Sequence, residues 1–255
     1  MNKDKEANND RRTFLRQAAT ATLANTLPTG SRALAGAGIA IAAAAPATRA
    51  HAADTLPVPA PFTGYQFLGP VEATFVESMV NIMCPADQYT PNGVDCGLAN
   101  YIDRQLAGAF GQGEGRYMRG PWKQGKPQLG YQLPLTPAQF FMAGLRAASE
   151  ACRGKYGRSF DQLTSEDANM FLQDVQANKY TDPRVPLGSW FNDLVYPLFI
   201  QACFADPMYG GNAGKIFWKL IGYPGLPATH ALDMVQYRGR PYPGAKDPKS
   251  IVDFS

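Results

Sequence analysis

The chain has 255 residues, 45% of them hydrophobic and 18% charged, with a formal net charge of +3. Seven of its 24 basic and three of its 21 acidic residues lie within positions 1–52, which leaves 17 and 18 beyond them, a net of −1; that balance excludes an electrostatic nucleic-acid surface. Two histidines in the whole chain exclude a histidine-rich metal centre.

Residues 1–52 read as an export signal. The stretch Asp10-Arg11-Arg12-Thr13-Phe14-Leu15-Arg16 resembles the twin-arginine signature, with Arg11 and Arg12 preceding the aromatic Phe14 and then Leu15. A weakly apolar Ala/Gly region follows, strongest over 33–47. Ala50-His51-Ala52 then offers the small-x-small pattern of a signal-peptidase site, which puts the mature start near Ala53. An amphipathic N-terminal helix or a membrane anchor is the alternative, but an anchor needs ~20 strongly apolar residues. Here Pro28, Gly30, Ser31 and Arg32 interrupt the run.

Residues 53–255 are predicted to form one all-α domain. From 53 to 67 the chain is proline-rich and aperiodic. Pro70 suits the first turn of a helix, and Val71, Phe75, Met79, Ile82 and Met83 follow at helical spacing up to Pro85. After the Pro91-Asn92-Gly93 loop, Leu98, Ile102, Leu106 and Phe110 share the face of a second helix. Residues 111–134 are glycine-rich and polar, a long loop. Thr136-Pro137-Ala138-Gln139 is a capping box opening a helix with Phe141, Leu145, Ala148 and Cys152 on its face. Thr164 to Asp167 starts another, carrying Phe171, Leu172 and Val175. An aromatic helix over about 189–204 holds Pro197, which should kink or interrupt it. A short helix with Ile216, Phe217, Leu220 and Ile221 comes next. Beyond Met234 the Pro/Gly-rich composition predicts an extended tail, 236–255.

Catalytic signatures are weak. Gly36-Ala37-Gly38 and Gly111-Gln112-Gly113-Glu114-Gly115 lack the strand–turn–helix context of a dinucleotide site. His230, the one histidine beyond the signal, reads as packed or hydrogen-bonded. There is no Cys-x-x-Cys-His haem motif, and Cys84, Cys96, Cys152 and Cys203 are too dispersed for an iron–sulfur cluster or zinc. Cys152 and Cys203 read as buried thiols or disulfide partners. A Cys84–Cys96 bridge would close a short loop and pin two helices, worth ~3 kcal/mol by loop entropy. Asp161, Glu166 and Asp167 could serve a stand-alone enzyme, although acids at a helix start also favour its positive end.

The most informative segment runs Phe204-Ala205-Asp206-Pro207-Met208-Tyr209-Gly210-Gly211-Asn212, then Trp218 and Ile221-Gly222-Tyr223-Pro224-Gly225. Asp-Pro ends a helix, the paired glycines permit positive φ in a tight turn, and Asn212 suits a helix cap. This segment resembles the signature of the gluconate 2-dehydrogenase subunit 3 family. Met83-Cys84-Pro85, Pro91-Asn92-Gly93 and Tyr101-Ile102-Asp103-Arg104-Gln105-Leu106 are similar to its N-terminal part. The likeness covers about residues 65–226 and does not by itself assign Cys84 and Cys96 a place in the family pattern.

That resemblance implies a small, non-catalytic subunit of a periplasmic, membrane-associated sugar-acid dehydrogenase. Its implied partners are an FAD-dependent large subunit of the glucose–methanol–choline type, a membrane-bound multi-haem cytochrome c subunit and the twin-arginine translocase. FAD and haem c are expected in those partners, with no cofactor, metal or catalytic residue on this chain. Asp206, Pro207, Tyr209, Gly210, Gly211, Asn212, Trp218, Gly222, Tyr223, Pro224 and Gly225 are the candidate interface. A transient periplasmic assembly factor is the alternative.

Overall fold

The first helix, α1 (Pro70–Met83), begins as its proline requires, with Pro70 in the first turn after Gly69. The computed structural model that shows this describes residues 64–123, 125–126, 129–227 and 229–254. The export-signal reading lies outside those residues. The buried stripe of α1 is Ala73, Phe75, Val76, Met79, Val80 and Met83. Val71, expected on the apolar face, is 71% exposed. At about 100° per residue it falls off a stripe centred on Val76, Met79 and Met83.

The second helix, α2 (Leu98–Ala107), is shorter than its periodicity predicts. Gly108 ends it, and Phe110 sits on a separate turn, α3 (Ala109–Gln112). Gly111 allows this corner, because a Cβ there would run into the Leu106 backbone. The longest helix, α4 (Pro137–Tyr156), opens with the predicted capping box, Gln139 N–H donating to Thr136 Oγ1 at 3.3 Å and Thr136 N–H to Gln139 Oε1 at 3.0 Å. In α5 (Ser165–Gln176) the Thr164 hydroxyl accepts from Asp167 N at 3.2 Å.

The aromatic helix, α6, runs without a break through three registers: α over Leu187–Ser189, π over Trp190–Val195, and α again over Tyr196–Phe204. The expected effect of Pro197 is therefore a change of register. Proline has no N–H for the regular ladder, and the wide π turn just before it absorbs the mismatch. Two short helices, α7 (Ile216–Ile221) and α8 (Ala231–Gln236), follow. Among the described residues there is no strand, only an isolated parallel bridge between Gly225 and Lys249. The fold is all-α.

The core is aromatic. Phe75 lies 4.7 Å from Phe160, which lies 5.8 Å from Phe171. Trp190 is fully buried, donates Nε1–H to Phe141 O at 3.1 Å and fills the space left by Gly144, where a Cβ would enter the indole. One carboxylate shares this interior. Asp103, on α2 between Ile102 and Leu106, accepts from three successive amides, Gln66 N (2.7 Å), Phe67 N (2.9 Å) and Leu68 N (2.8 Å). The lead-in to α1 is thereby fixed to α2 by charge-assisted hydrogen bonds.

Candidate functional site

The segments that carried the family likeness, 83–106 and 204–225, are remote in sequence but meet in the fold. The loop from Pro91 to Gly97 packs on α1, where a Cβ at Gly93 would meet Val80 C at 2.7 Å, and Val94 N–H donates to Asn81 Oδ1 at 3.0 Å. Its far end meets the 206–212 turn. Cys96 O accepts from Ala213 N at 3.0 Å, and Gly97, at φ +78°, faces the Gly210 carbonyl with no room for a Cβ. Gly210 itself, at φ +97°, lies over Asn100 and Arg104 of α2.

Within the turn each residue has a separate task. Asp206 accepts from Met208 N at 3.0 Å and so caps the Pro207–Tyr209 turn. Of the paired glycines, Gly210 has positive φ, whereas Gly211 does not. Gly211 is needed for close approach, since a Cβ there would collide with the Ala202 carbonyl of α6. The expected positive φ at both glycines thus holds for one. Asn212 is buried and has positive φ, +46°, and its side chain bridges two helices. Its Nδ2 donates to Ala205 O at 3.2 Å, and its Oδ1 accepts from Phe217 N at 3.1 Å in the first turn of α7. It therefore caps α7 from outside the usual cap position, which Lys215 occupies. Trp218 Nε1 donates to Phe204 O at 2.7 Å and closes α7 onto the end of α6.

Sequence reasoning missed what the tail does here. Asp206 Oδ2 accepts from Ile251 N at 2.9 Å, and Lys215 pairs with Asp253, whose other bond is from Ser250 N at 2.7 Å. Leu226 N donates to Lys249 O at 2.7 Å, and Lys249 N to Pro224 O at 3.1 Å. Gly225, at φ +75°, leaves the room this requires. His230 lies on the same seam, with Nδ1 2.9 Å from Asp233 Oδ2 and Nε2 3.3 Å from Gly225 O. Both partners are acceptors, so both ring nitrogens are best served by protons. Accordingly the Asp233 carboxylate, then the Gly225 carbonyl, raise the His230 pKa above its ordinary value. No local signal in the tail predicted these contacts. For Asp103 a signal existed, an acid set on an apolar helical face.

The outer surface of this junction is apolar. Tyr209 is 46% exposed, Leu220 53% and Ile221 59%, and Met208, Tyr223 and Phe254 are also exposed. On the inner side, Cys84 and Cys96 are buried beside Pro91, and Cys203 is buried on α6. Cys152 is buried on α4, donates to Arg158 O at 3.6 Å and has its thiol pKa pushed up to about 11 by burial.

Asp161, Glu166 and Asp167 stand where helix chemistry places them, in the Phe160–Gln162 turn and the first turn of α5. A cleft between α4 and residues 179–187 is lined by Glu150, Lys179, Tyr180 and Asp182, among others, and by none of those three acids. Among the described residues no group of three or more His, Cys, Asp or Glu could hold a metal ion. No described helix is long and apolar enough to cross a membrane.

The domain is all-α, and the two segments that carry the family likeness close into one glycine-lined joint. The family model described as gluconate 2-dehydrogenase subunit 3 matches residues 70–225, and the chain belongs to that family. It is thus related to a subunit of an oxidoreductase complex. No curated protein and no solved structure gives a match.

Proposed function

We propose that this chain is the non-catalytic small subunit of a flavin-dependent gluconate, or related sugar-acid or polyol, dehydrogenase, and that it escorts the flavoprotein through the twin-arginine route. The family match over residues 70–225 carries the reading. The exposed apolar residues Met208, Tyr209, Leu220, Ile221 and Tyr223 support it, because exposed apolar and aromatic side chains suit a protein partner. The partner of this reading is an FAD-bearing large subunit of the glucose–methanol–choline type, which sets substrate choice. A multi-haem cytochrome c subunit would pass its electrons onward and hold the complex at the periplasmic face of the membrane.

A flavoprotein acquires its cofactor by folding, and folded cargo lacking a signal can cross only with a bound partner that has one. Replacing Arg11 and Arg12 by lysine keeps the charge and removes the planar guanidinium forks. The expected outcome is that flavoprotein and dehydrogenase activity both remain in the cytoplasmic fraction. Full delivery of the flavoprotein to the periplasmic side would refute the escort role. Co-purification at fixed stoichiometry, with no visible flavin or haem absorbance in the isolated chain, would separate a subunit from a transient assembly factor and from an enzyme.

A further inference from the structure

The segment between α1 and α2 returns to its starting point. Cys84 caps α1, its amide donating to Val80 O at 2.8 Å. Cys96 lies at the other end, its amide donating to Asn92 O at 3.0 Å and its carbonyl accepting from Ala213. Both side chains turn inward onto one atom. The Pro91 carbonyl oxygen is 3.9 Å from Cys84 Sγ and 3.6 Å from Cys96 Sγ. The two residues are 2% and 1% exposed.

We propose that Cys84 and Cys96 are joined by a disulfide in the exported protein, and that this bond braces the platform on which the Gly210–Asn212 turn rests. Two sulfurs gathered on one oxygen are neighbours, and both backbones are already held by hydrogen bonds. The 85–95 excursion otherwise relies mainly on local bonds. Asp87 Oδ1 accepts from Tyr89 N and Thr90 N, and Asn92 bonds Asp95. Val94 N–H to Asn81 Oδ1 and the close approach of Gly93 to Val80 already seat the loop on α1, and a covalent tie would add to that hold at both of its ends. Cys152, on α4, donates instead to Arg158 O just beyond the end of that helix, which leaves it outside this group.

Burial also fixes when the bond forms. The hydrogen bond with Cys84, then burial, raise the pKa of the Cys96 thiol and so disfavour its thiolate in the closed fold. Only a thiolate attacks a disulfide, so exchange is favoured while the chain is folding, before both thiols are buried. The oxidant is a disulfide-bearing thiol oxidoreductase, or oxidised glutathione in a tube. One cysteine thiolate attacks a donor sulfur, giving a mixed disulfide and releasing the first donor thiolate. The second cysteine then displaces the remaining donor sulfur. One sulfur–sulfur bond forms here, one breaks in the donor, and the two cysteine protons end on the donor's two thiols.

The pairing stands on geometry, and only the oxidising compartment rests on the export reading. The test has two arms. In the first, the reduced, denatured full chain is refolded in oxidised and reduced glutathione, blocked with iodoacetamide, digested and mapped by mass spectrometry. The expected product is a peptide linking Cys84 to Cys96, with Cys152 alkylated. Alkylation of both Cys84 and Cys96, or a link from either to Cys203, would overturn the pairing. In the second arm the protein from the periplasmic fraction is blocked without reductant. The linked peptide is expected there too; a link confined to the first arm would overturn the bond in the exported protein and leave the geometry intact. Reduction should lower the wild-type melting temperature by roughly 6–12 °C and leave the Cys84→Ser/Cys96→Ser double variant unmoved. An equal response in both proteins would also defeat the proposal.

Discussion

A side chain at Gly97 would have to occupy the space taken by the carbonyl oxygen of Gly210. These residues lie on the two signature segments of the family, so this contact is where the halves of the joint meet. Gly97→Ala adds a methyl against fixed backbone at φ +78° and should cost about 3 kcal/mol, part conformational and part steric. Gly157 has nearly the same φ, +66°, with nothing within 4 Å of its Cβ position, so Gly157→Ala should cost only about 1 kcal/mol. Denaturant unfolding of the two variants measures the difference. Equal losses would mean that the joint yields and the close approach is not required.

Asn212 joins α6 to α7 through both ends of its amide. Asn212→Ala leaves Ala205 O and Phe217 N without that partner in a buried place, at about 2–4 kcal/mol. Trp218 reports the event, because its indole is tied to Phe204 O beside this joint. The expected signature is a red-shifted tryptophan emission with earlier unfolding. An unshifted spectrum with unchanged stability would show that water replaces the amide at no cost.

Asp103 carries three amide hydrogen bonds from residues 66–68. Asp103→Ala removes all three and should destabilise the fold by about 3 kcal/mol, since bonds to a charged acceptor are stronger than neutral ones. Asp103→Asn keeps one acceptor oxygen and should fall between. Amide exchange at Gln66, Phe67 and Leu68 should rise in the same order. Unchanged protection there in Asp103→Ala would show that the lead-in is held by apolar packing.

His230 joins the start of α8 to Gly225, its ring lying between Asp233 Oδ2 at 2.9 Å and Gly225 O at 3.3 Å. Its pKa is raised in the folded chain, chiefly by Asp233 and then by the Gly225 carbonyl; Tyr242, the other titratable group against the ring, lies 5.7 Å away. A raised folded-state pKa stabilises most below the ordinary value of 6.5 and loses that stabilisation as pH rises through the folded pKa. The start of α8 should therefore be protected from proteolysis near pH 6 and less so near pH 8.5. The His230→Gln variant should lose this difference. An NMR titration placing the His230 pKa at or below 6.5 would sink the idea.

Helix starts were legible because their causes are local. Pro70, the Thr136–Gln139 capping box and Thr164 each fix the next turn through bonds spanning a few residues, and the structure shows them where the sequence put them. The family likeness was legible for a related reason, since Asp206 to Asn212 is a short string of residues with demanding backbone needs. What those needs answer to could not be read. Gly211 is a glycine because Ala202 O approaches it, and Gly97 because Gly210 O does. Phe110 left the face of α2 because of a corner at Gly108, and Pro197 was absorbed by a π turn.

The tail shows the same division. Its composition predicted an extended segment, whereas helical turns form over Pro243–Lys246 and Ile251–Phe254, and Lys249, Ile251 and Asp253 dock on Leu226, Asp206 and Lys215, respectively. Local chemistry alone thus determined the helical class, the element starts and the signature turn. The tertiary structure decided which backbone atoms face which across gaps of tens to more than a hundred residues. Such contacts depend on distances between chain segments that no short window of side chains encodes, because closing a long loop carries an entropy cost that only the assembled core repays.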